Sequence, residues 1–141
     1  MKQRVLFLCI GNSARSQMAE GWLRCLGGDR FEVCSAGTHP VGLNPGSVEA
    51  MVEVGIDISH HRSRNVAEFA GQSFDYVITV CDRAKETCPR WSGATHLLHW
   101  SFDDPAPVMD VMARRETFRR VRDEIGGQIR GFLNSRAAAM P

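Results

Sequence analysis

The apolar run Val5-Leu6-Phe7-Leu8-Cys9, with a tight loop and a helix-like stretch directly after it, constrains this chain most. An apolar stretch with no polar alternation reads as a strand buried on both faces, the kind found inside a parallel sheet. The loop is Ile10-Gly11-Asn12-Ser13-Ala14-Arg15-Ser16, and the helix-like stretch is Gln17-Met18-Ala19-Glu20-Gly21-Trp22-Leu23. A buried strand that turns this tightly into a helix opens a βα unit, and parallel strands need such crossovers.

The alternation continues. Met18, Ala19, Trp22, Leu23 and Leu26 share one side of the first helix, which Gly27-Gly28 should stop. Phe31 to Cys34 reads as a second strand. Asn44-Pro45 starts a helix, with Asn as cap and Pro in the first turn, and Gly55 is its expected stop. A short helix is expected over Asn65 to Phe69, a strong third strand over Asp75 to Val80, and a weaker fourth over Thr95 to His99. From about Glu116 a long helix carries Phe118, Val121, Ile125, Ile129, Phe132 and Leu133 on one stripe, and the tail from Ala137 should fray. The pattern implies an α/β fold: a four-stranded parallel sheet with helices on both faces, flavodoxin-like, in one domain over residues 1–141.

Composition narrows the partners. With 43% hydrophobic and 23% charged residues the chain is ordinary for a globular protein. A formal net charge of +1 points to neither nucleic acid nor a membrane surface. After Met-Lys-Gln-Arg the apolar run is too short for a signal peptide's core, and no stretch reaches transmembrane length. A cytoplasmic location is therefore expected. There the five cysteines are more readily catalytic, buried or metal-binding than structural bridges.

Ligands of such sheets sit at the carboxyl ends of the strands. Cys9 ends the first strand, Cys81 comes just after the third, and Asp103-Asp104-Pro105 comes after the fourth. In the first loop, successive N–H groups and a helix N-terminus can converge on a tetrahedral oxyanion, and Arg15 can grip two of its oxygens. Gly11 is expected to adopt a backbone angle closed to other residues. The same field should hold the Cys9 thiol well below about 8.5, with a hydrogen bond from Ser16. A buried cysteine near a surface arginine is the bland alternative.

Cys81 and Cys88 form a second constellation. Along an intact helix their α-carbons would lie ~10 Å apart, and a disulfide needs about 7 Å or less. The pair bridges only if the segment loops or unwinds; otherwise these are two unrelated cysteines. The Cys-x6-Cys spacing suits zinc poorly. Asp104 is a candidate general acid, with Asp103 its rival, although a loop Asp-Pro is most often a turn. Cys25 and Cys34 read as packing residues, and His60-His61 as a solvated loop. His96 and His99 flank a strand without an evident partner. Arg114, Arg115, Arg119, Arg120 and Arg122 read as a solvated helix face with local ion pairs.

Cys9-x-Gly11-Asn12-x-x-Arg15-Ser16-Gln17-Met18-Ala19-Glu20 resembles the active-site loop of the low-molecular-weight tyrosine phosphatase superfamily. The Ser-Gln-Met-Ala-Glu continuation, Cys81…Cys88-Pro89 and His99-Trp100-Ser101-Phe102-Asp103-Asp104-Pro105 are similar to its thioredoxin-coupled arsenate reductase branch. Ser35-Ala36-Gly37, Asn44-Pro45 and Phe118-x-x-Val121-Arg122-Asp123-Glu124-Ile125 match as well, so the resemblance covers nearly the whole chain.

The resemblance implies roles. Cys9 attacks arsenate held by Arg15 and the loop Ile10 to Ser16, and Asp104 protonates the leaving oxygen. Cys81 attacks the Cys9 sulfur, releasing arsenite. Cys88 then resolves the bridge by pairing with Cys81, and thioredoxin reduces that pair. No bound cofactor is implied; phosphate or sulfate would act as analogues, and a monomer is expected. The cysteine spacing favours thioredoxin over a glutaredoxin-type reductant. In some members a potassium ion uses positions matched by Asn12, Glu20 and Ser35, but Arg64 stands where an aspartate is expected, which argues against a metal. Ile10 stands where Thr or Leu is common.

The main alternative is a phosphatase that hydrolyses phosphotyrosine through a Cys9 phosphoenzyme, since it needs the same Cys9, Arg15 and Asp104. Ala14 replaces that group's usual second loop cysteine, and Ala106 replaces its Tyr after Asp-Pro. A non-catalytic oxyanion binder or thiol sensor would leave Asp104 and Cys88 without a task.

Overall fold

A computed structural model describes residues 2–82, 86 and 89–139. Its elements run β1 (Gln3–Cys9), α1 (Arg15–Gly27), β2 (Phe31–Gly37), α2 (Pro45–Val52), β3 (Phe74–Thr79), β4 (Ala94–His99) and α3 (Val111–Ala139), with 3-10 turns at Gly28–Arg30 and Val66–Phe69. The strands form one four-stranded sheet in the order β2-β1-β3-β4, and every pairing is parallel.

The apolar run of β1 becomes the inner strand because neighbours cover both its edges and both its faces. Val5, Leu6, Phe7 and Leu8 are fully buried. Val5 and Phe7 join a core with Met18, Trp22 and Leu23 of α1, Met51 of α2 and Val121, Ile125 and Ile129 of α3. Leu6 and Leu8, pointing the other way along the pleat, join Cys34, Ala36, Phe74 and Val77 under Phe69. Helical segments thus cover both faces unequally: the α-helices on one, the turn Val66–Phe69 on the other.

Several boundaries differ from expectation for local reasons. β2 continues through Ser35, Ala36 and Gly37, which have low strand propensity but pair with Phe7, Leu8 and Cys9. α3 begins at Val111, not near Glu116. Asp110 caps it, its Oδ2 accepting the Ala113 N–H at 2.8 Å. The first turn carries exposed Val111 and Met112, so no apolar stripe announces it. The Asn44 cap behaves as read, its side chain accepting from the Gly46 N–H. Cys34 is buried, but Cys25 is exposed and Leu26 is 39% exposed, so Cys25 is not the packing residue expected.

The α3 arginines do more than meet solvent. Arg115 pairs with Glu49, and Arg119 and Arg122 both bind Glu53, which ties α3 to the end of α2. Arg122 is buried and also donates to the Ala50 carbonyl at 3.0 Å. His99 and His96 have partners too: Nδ1 of His99 lies 2.6 Å from Thr79 Oγ1, and His96 stacks on Tyr76.

Candidate active site

The loop between β1 and α1 is shaped by where its carbonyls go. Ile10 O accepts His39 N–H at 2.8 Å, Gly11 O accepts Val41 N–H at 3.1 Å, and Ser13 O accepts Asn44 N–H at 3.0 Å. Asn12 O accepts Gln17 Nε2 at 3.1 Å and the Ser63 hydroxyl at 2.6 Å. Each carbonyl faces outward into the scaffold, and no described peptide bond is cis. In a trans peptide the next N–H points the opposite way. The amides of residues 11–14 therefore turn inward, and the Asn12 N–H does reach Cys9 Sγ, at 3.0 Å. α1 starts at Arg15 with no side-chain cap from Ala14, so its N-terminal dipole also faces this hollow.

The unusual backbone angle lies at Asn12, with φ 45°, and not at Gly11 as expected. Asparagine tolerates this region because its short polar side chain bonds locally. Here Asn12 Oδ1 accepts Arg64 N–H at 2.8 Å and Gln17 Nε2 at 3.1 Å. The glycine that the loop requires is Gly37, at the end of β2. A Cβ there would lie 2.4 Å from Ile10 O and 2.9 Å from Asn12 N.

A directed chain of hydrogen bonds runs to the sulfur. Asn12 Nδ2 donates to Ser35 Oγ and Ser16 Oγ, both at 2.9 Å. Ser35 in turn donates to Glu20 Oε1 at 2.6 Å. Ser16 Oγ also lies 2.8 Å from Cys9 Sγ, and its hydroxyl can donate to the sulfur when that is a thiolate. These bonds favour a thiolate, but Cys9 is only 3% exposed. Burial pushes its thiol above the ordinary range, and Ser16, Asn12 and the Arg15 charge do not cancel that. The expected depression of the Cys9 pKa is thus reversed in this state.

Arg15 is itself shared. Its Nη1 and Nη2 each lie 2.7 Å from an oxygen of Glu86, and Nη1 also donates to the Phe102 carbonyl at 3.1 Å. Asp104 Oδ2 stands 3.6 Å from Nη2. Burial works against the guanidinium charge, but Glu86 and Asp104 outweigh it and hold Arg15 more basic than free arginine.

The two adjacent aspartates divide. Asp103 turns to α3, accepting Arg120 Nη2 at 2.9 Å, while Asp104 faces Arg15 and braces its own turn by accepting Ala106 N–H at 3.0 Å. Cys81 is fully buried and disulfide-bonded. Leu8 pairs with Thr79, and Val80 N–H donates to Leu8 O at 3.0 Å. Extending that register by one residue sets Val80 opposite Cys9, and Cys81 is the next residue along. Cys88 lies outside the described residues.

Three side chains here went unrecognised in the sequence. Glu86 reaches Arg15 across 71 positions. Gln17 stitches the loop to Arg62 and His61. His61, read as part of a solvated loop, has a side chain only 4% exposed against Glu20. No periodicity marks contacts of this kind; the buried Ile58 nearby is the one local hint of a covered loop.

Asn12, Glu20 and Ser35 do converge, but the cluster does not suit a potassium ion. Glu20 Oε2 faces Arg24 Nη2 at 3.1 Å and His61 Nε2 at 3.5 Å, so a cation would meet nitrogen donors. Among the described residues no three His, Cys, Asp or Glu side chains group as metal donors, and no helix is long and apolar enough to cross a membrane.

Comparison with known proteins agrees with this geometry. The low molecular weight phosphotyrosine protein phosphatase family model matches residues 4–139. A curated arsenate reductase of Halalkalibacterium halodurans is 46% identical over 135 residues, covering 95% of this chain and 97% of its own. A solved structure described as an arsenate reductase in the phosphate binding state superposes with a TM-score of 0.82 at 32% identity, covering 96% of this chain and 98% of its own. A thioredoxin-dependent arsenate reductase of Corynebacterium glutamicum aligns over 99% of this chain and 64% of its own, with a TM-score of 0.75 at 29% identity. By fold, loop and sequence together, this chain belongs to the low molecular weight phosphotyrosine protein phosphatase family.

Proposed function

We propose that the chain is a cytoplasmic, monomeric, single-domain arsenate reductase re-reduced by thioredoxin and working without a resident cofactor or metal. The observation that carries this reading is the oxidised Cys81, one residue beyond the position that the extended register sets opposite Cys9. A phosphatase needs Cys9, Arg15 and Asp104 and no second sulfur; a reductase needs a second sulfur within reach of the first.

In the proposed reaction, arsenate lies in the loop from Ile10 to Ser16, on the inward amides and Arg15. The Cys9 thiolate, supported by Ser16, attacks arsenic, and Asp104 protonates the departing oxygen as water. The Cys81 thiolate then attacks Cys9 Sγ. The sulfur–arsenic bond breaks with its electron pair on arsenic, which leaves as arsenite, and a Cys9–Cys81 disulfide remains. Cys88 attacks Cys81, freeing Cys9 as a thiolate, and thioredoxin reduces the Cys81–Cys88 pair. Arsenic gains two electrons and two thiols are oxidised in each turnover.

The test is arsenate-dependent NADPH oxidation with thioredoxin and thioredoxin reductase, comparing the wild type with Cys9→Ser, Cys81→Ser and Cys88→Ser. Each variant is expected to lose multiple turnover. Sustained turnover by Cys88→Ser with thioredoxin as sole reductant would refute the relay. Rapid hydrolysis of a phosphotyrosine peptide without arsenate turnover would assign the site to a phosphatase.

A further inference from the structure

Glu86 occupies the Nη1–Nη2 edge of Arg15. Its Oε1 and Oε2 lie 2.7 Å from Nη2 and Nη1, a two-point pairing of planar groups. The same carboxylate is fixed from behind by the Asp82 N–H, 2.7 Å from Oε2. Arg15 is 6% and Glu86 19% exposed, so this is not a screened surface pair. A tetrahedral oxyanion gripped through Nε and Nη2 would share Nη2 with this carboxylate and meet its negative charge across one guanidinium. Carboxylate and oxyanion thus compete for one positive charge.

The place of Glu86 in the chain gives the competition a meaning. It lies five positions beyond Cys81, and Cys81 is disulfide-bonded while the contact is made. Oxyanion capture in that state would be unproductive. An adduct on Cys9 could not be completed, because the Cys81 thiol that must break it is already oxidised.

We propose that Glu86 is an internal competitor for the oxyanion site: while Cys81 is oxidised it holds Arg15, and the loop refuses a new oxyanion until that disulfide is reduced. The proposal rests on the thiol-relay reading above. With Cys81 reduced, Glu86 gives up Arg15, and the guanidinium is released to substrate. Access to the site is thereby ordered after reduction by a contact inside the chain.

The experiment is titration of the oxidised full-length chain with inorganic phosphate, read by calorimetry and by amide shifts of the loop, for wild type, Glu86→Gln and Glu86→Ala. If the carboxylate holds Arg15 nine-tenths of the time, the apparent affinity is lowered about tenfold. Both variants are therefore expected to bind phosphate about tenfold more tightly than wild type. In a Cys81→Ser background, where this disulfide cannot form, the same changes at Glu86 are expected to alter affinity little. Unchanged affinity in the oxidised variants would overturn the proposal. So would an equal gain in the Cys81→Ser background, which would mark a general charge effect. Thermal melts of both variants identify any loss of folding, and two substitutions that differ in polarity keep the result from resting on one. The titration involves no turnover, so it succeeds or fails separately from the relay, which the thioredoxin-coupled assay decides.

Discussion

Ser16 Oγ lies 2.8 Å from Cys9 Sγ, placed to donate to the thiolate while its oxygen accepts from the side-chain amide of Asn12. A hydrogen bond to a charged partner contributes about 1.5–3 kcal/mol, and about 1.4 kcal/mol is one pKa unit. Ser16→Ala is therefore expected to raise the Cys9 thiol by about one unit or more and slow its alkylation at neutral pH about tenfold. The pH profile of iodoacetamide reaction checks this; an unmoved midpoint would remove Ser16 from thiolate stabilisation.

Gly37 sets the distance between β2 and the loop. A methyl group there would lie 2.4 Å from the Ile10 carbonyl oxygen, a backbone atom that cannot rotate away. Gly37→Ala is expected to lower stability by about 1–3 kcal/mol, as overpacking does, and to weaken phosphate binding by displacing the loop amides. Urea unfolding and phosphate titration measure the two effects, and an unchanged urea midpoint would contradict the close approach.

Asp104, 3.6 Å from the Arg15 guanidinium, is the proposed acid for the leaving oxygen. Asp104→Asn is expected to slow disulfide formation after arsenate addition about a hundredfold or more in a single turnover. Phosphate binding should not weaken, since the substitution removes a negative charge. Weaker phosphate binding with an unchanged single-turnover rate would reassign Asp104 to positioning.

Glu53 holds α3 to the end of α2 through Arg119 and Arg122, which keep its carboxyl at about 2. A carboxyl depressed in the folded state adds stability above its unfolded pKa, and that stability is lost as pH falls toward the folded value. The loss is therefore expected between about pH 4.5 and pH 2. Comparing urea midpoints of wild type and Glu53→Gln across this window checks it: the variant should show a shallower acid slope, and identical slopes would exclude the contribution.

The parts of this protein legible in its sequence are those governed by neighbours along the chain. The unbroken apolar run of β1 reads as an inner strand and is one, Asn44 caps its own helix, and the loop from Cys9 to Arg15 is marked because it and the helix N-terminus are contiguous. α3 is legible only from Phe118 onward, since its first turn faces water and shows no stripe. Other features depend on groups meeting across the fold. Asp104 rather than Asp103 faces the site because Arg120 of α3 holds Asp103. His61 is buried because Glu20 and Gln17 lie beneath it. The Cys9 thiol rises although every local signal lowers it. Its sulfur is sealed in the core, and that burial outweighs the hydrogen bonds and the Arg15 charge beside it. Local chemistry is written in order along the chain, whereas burial and charge pairing depend on distances that exist only once the chain has closed on itself.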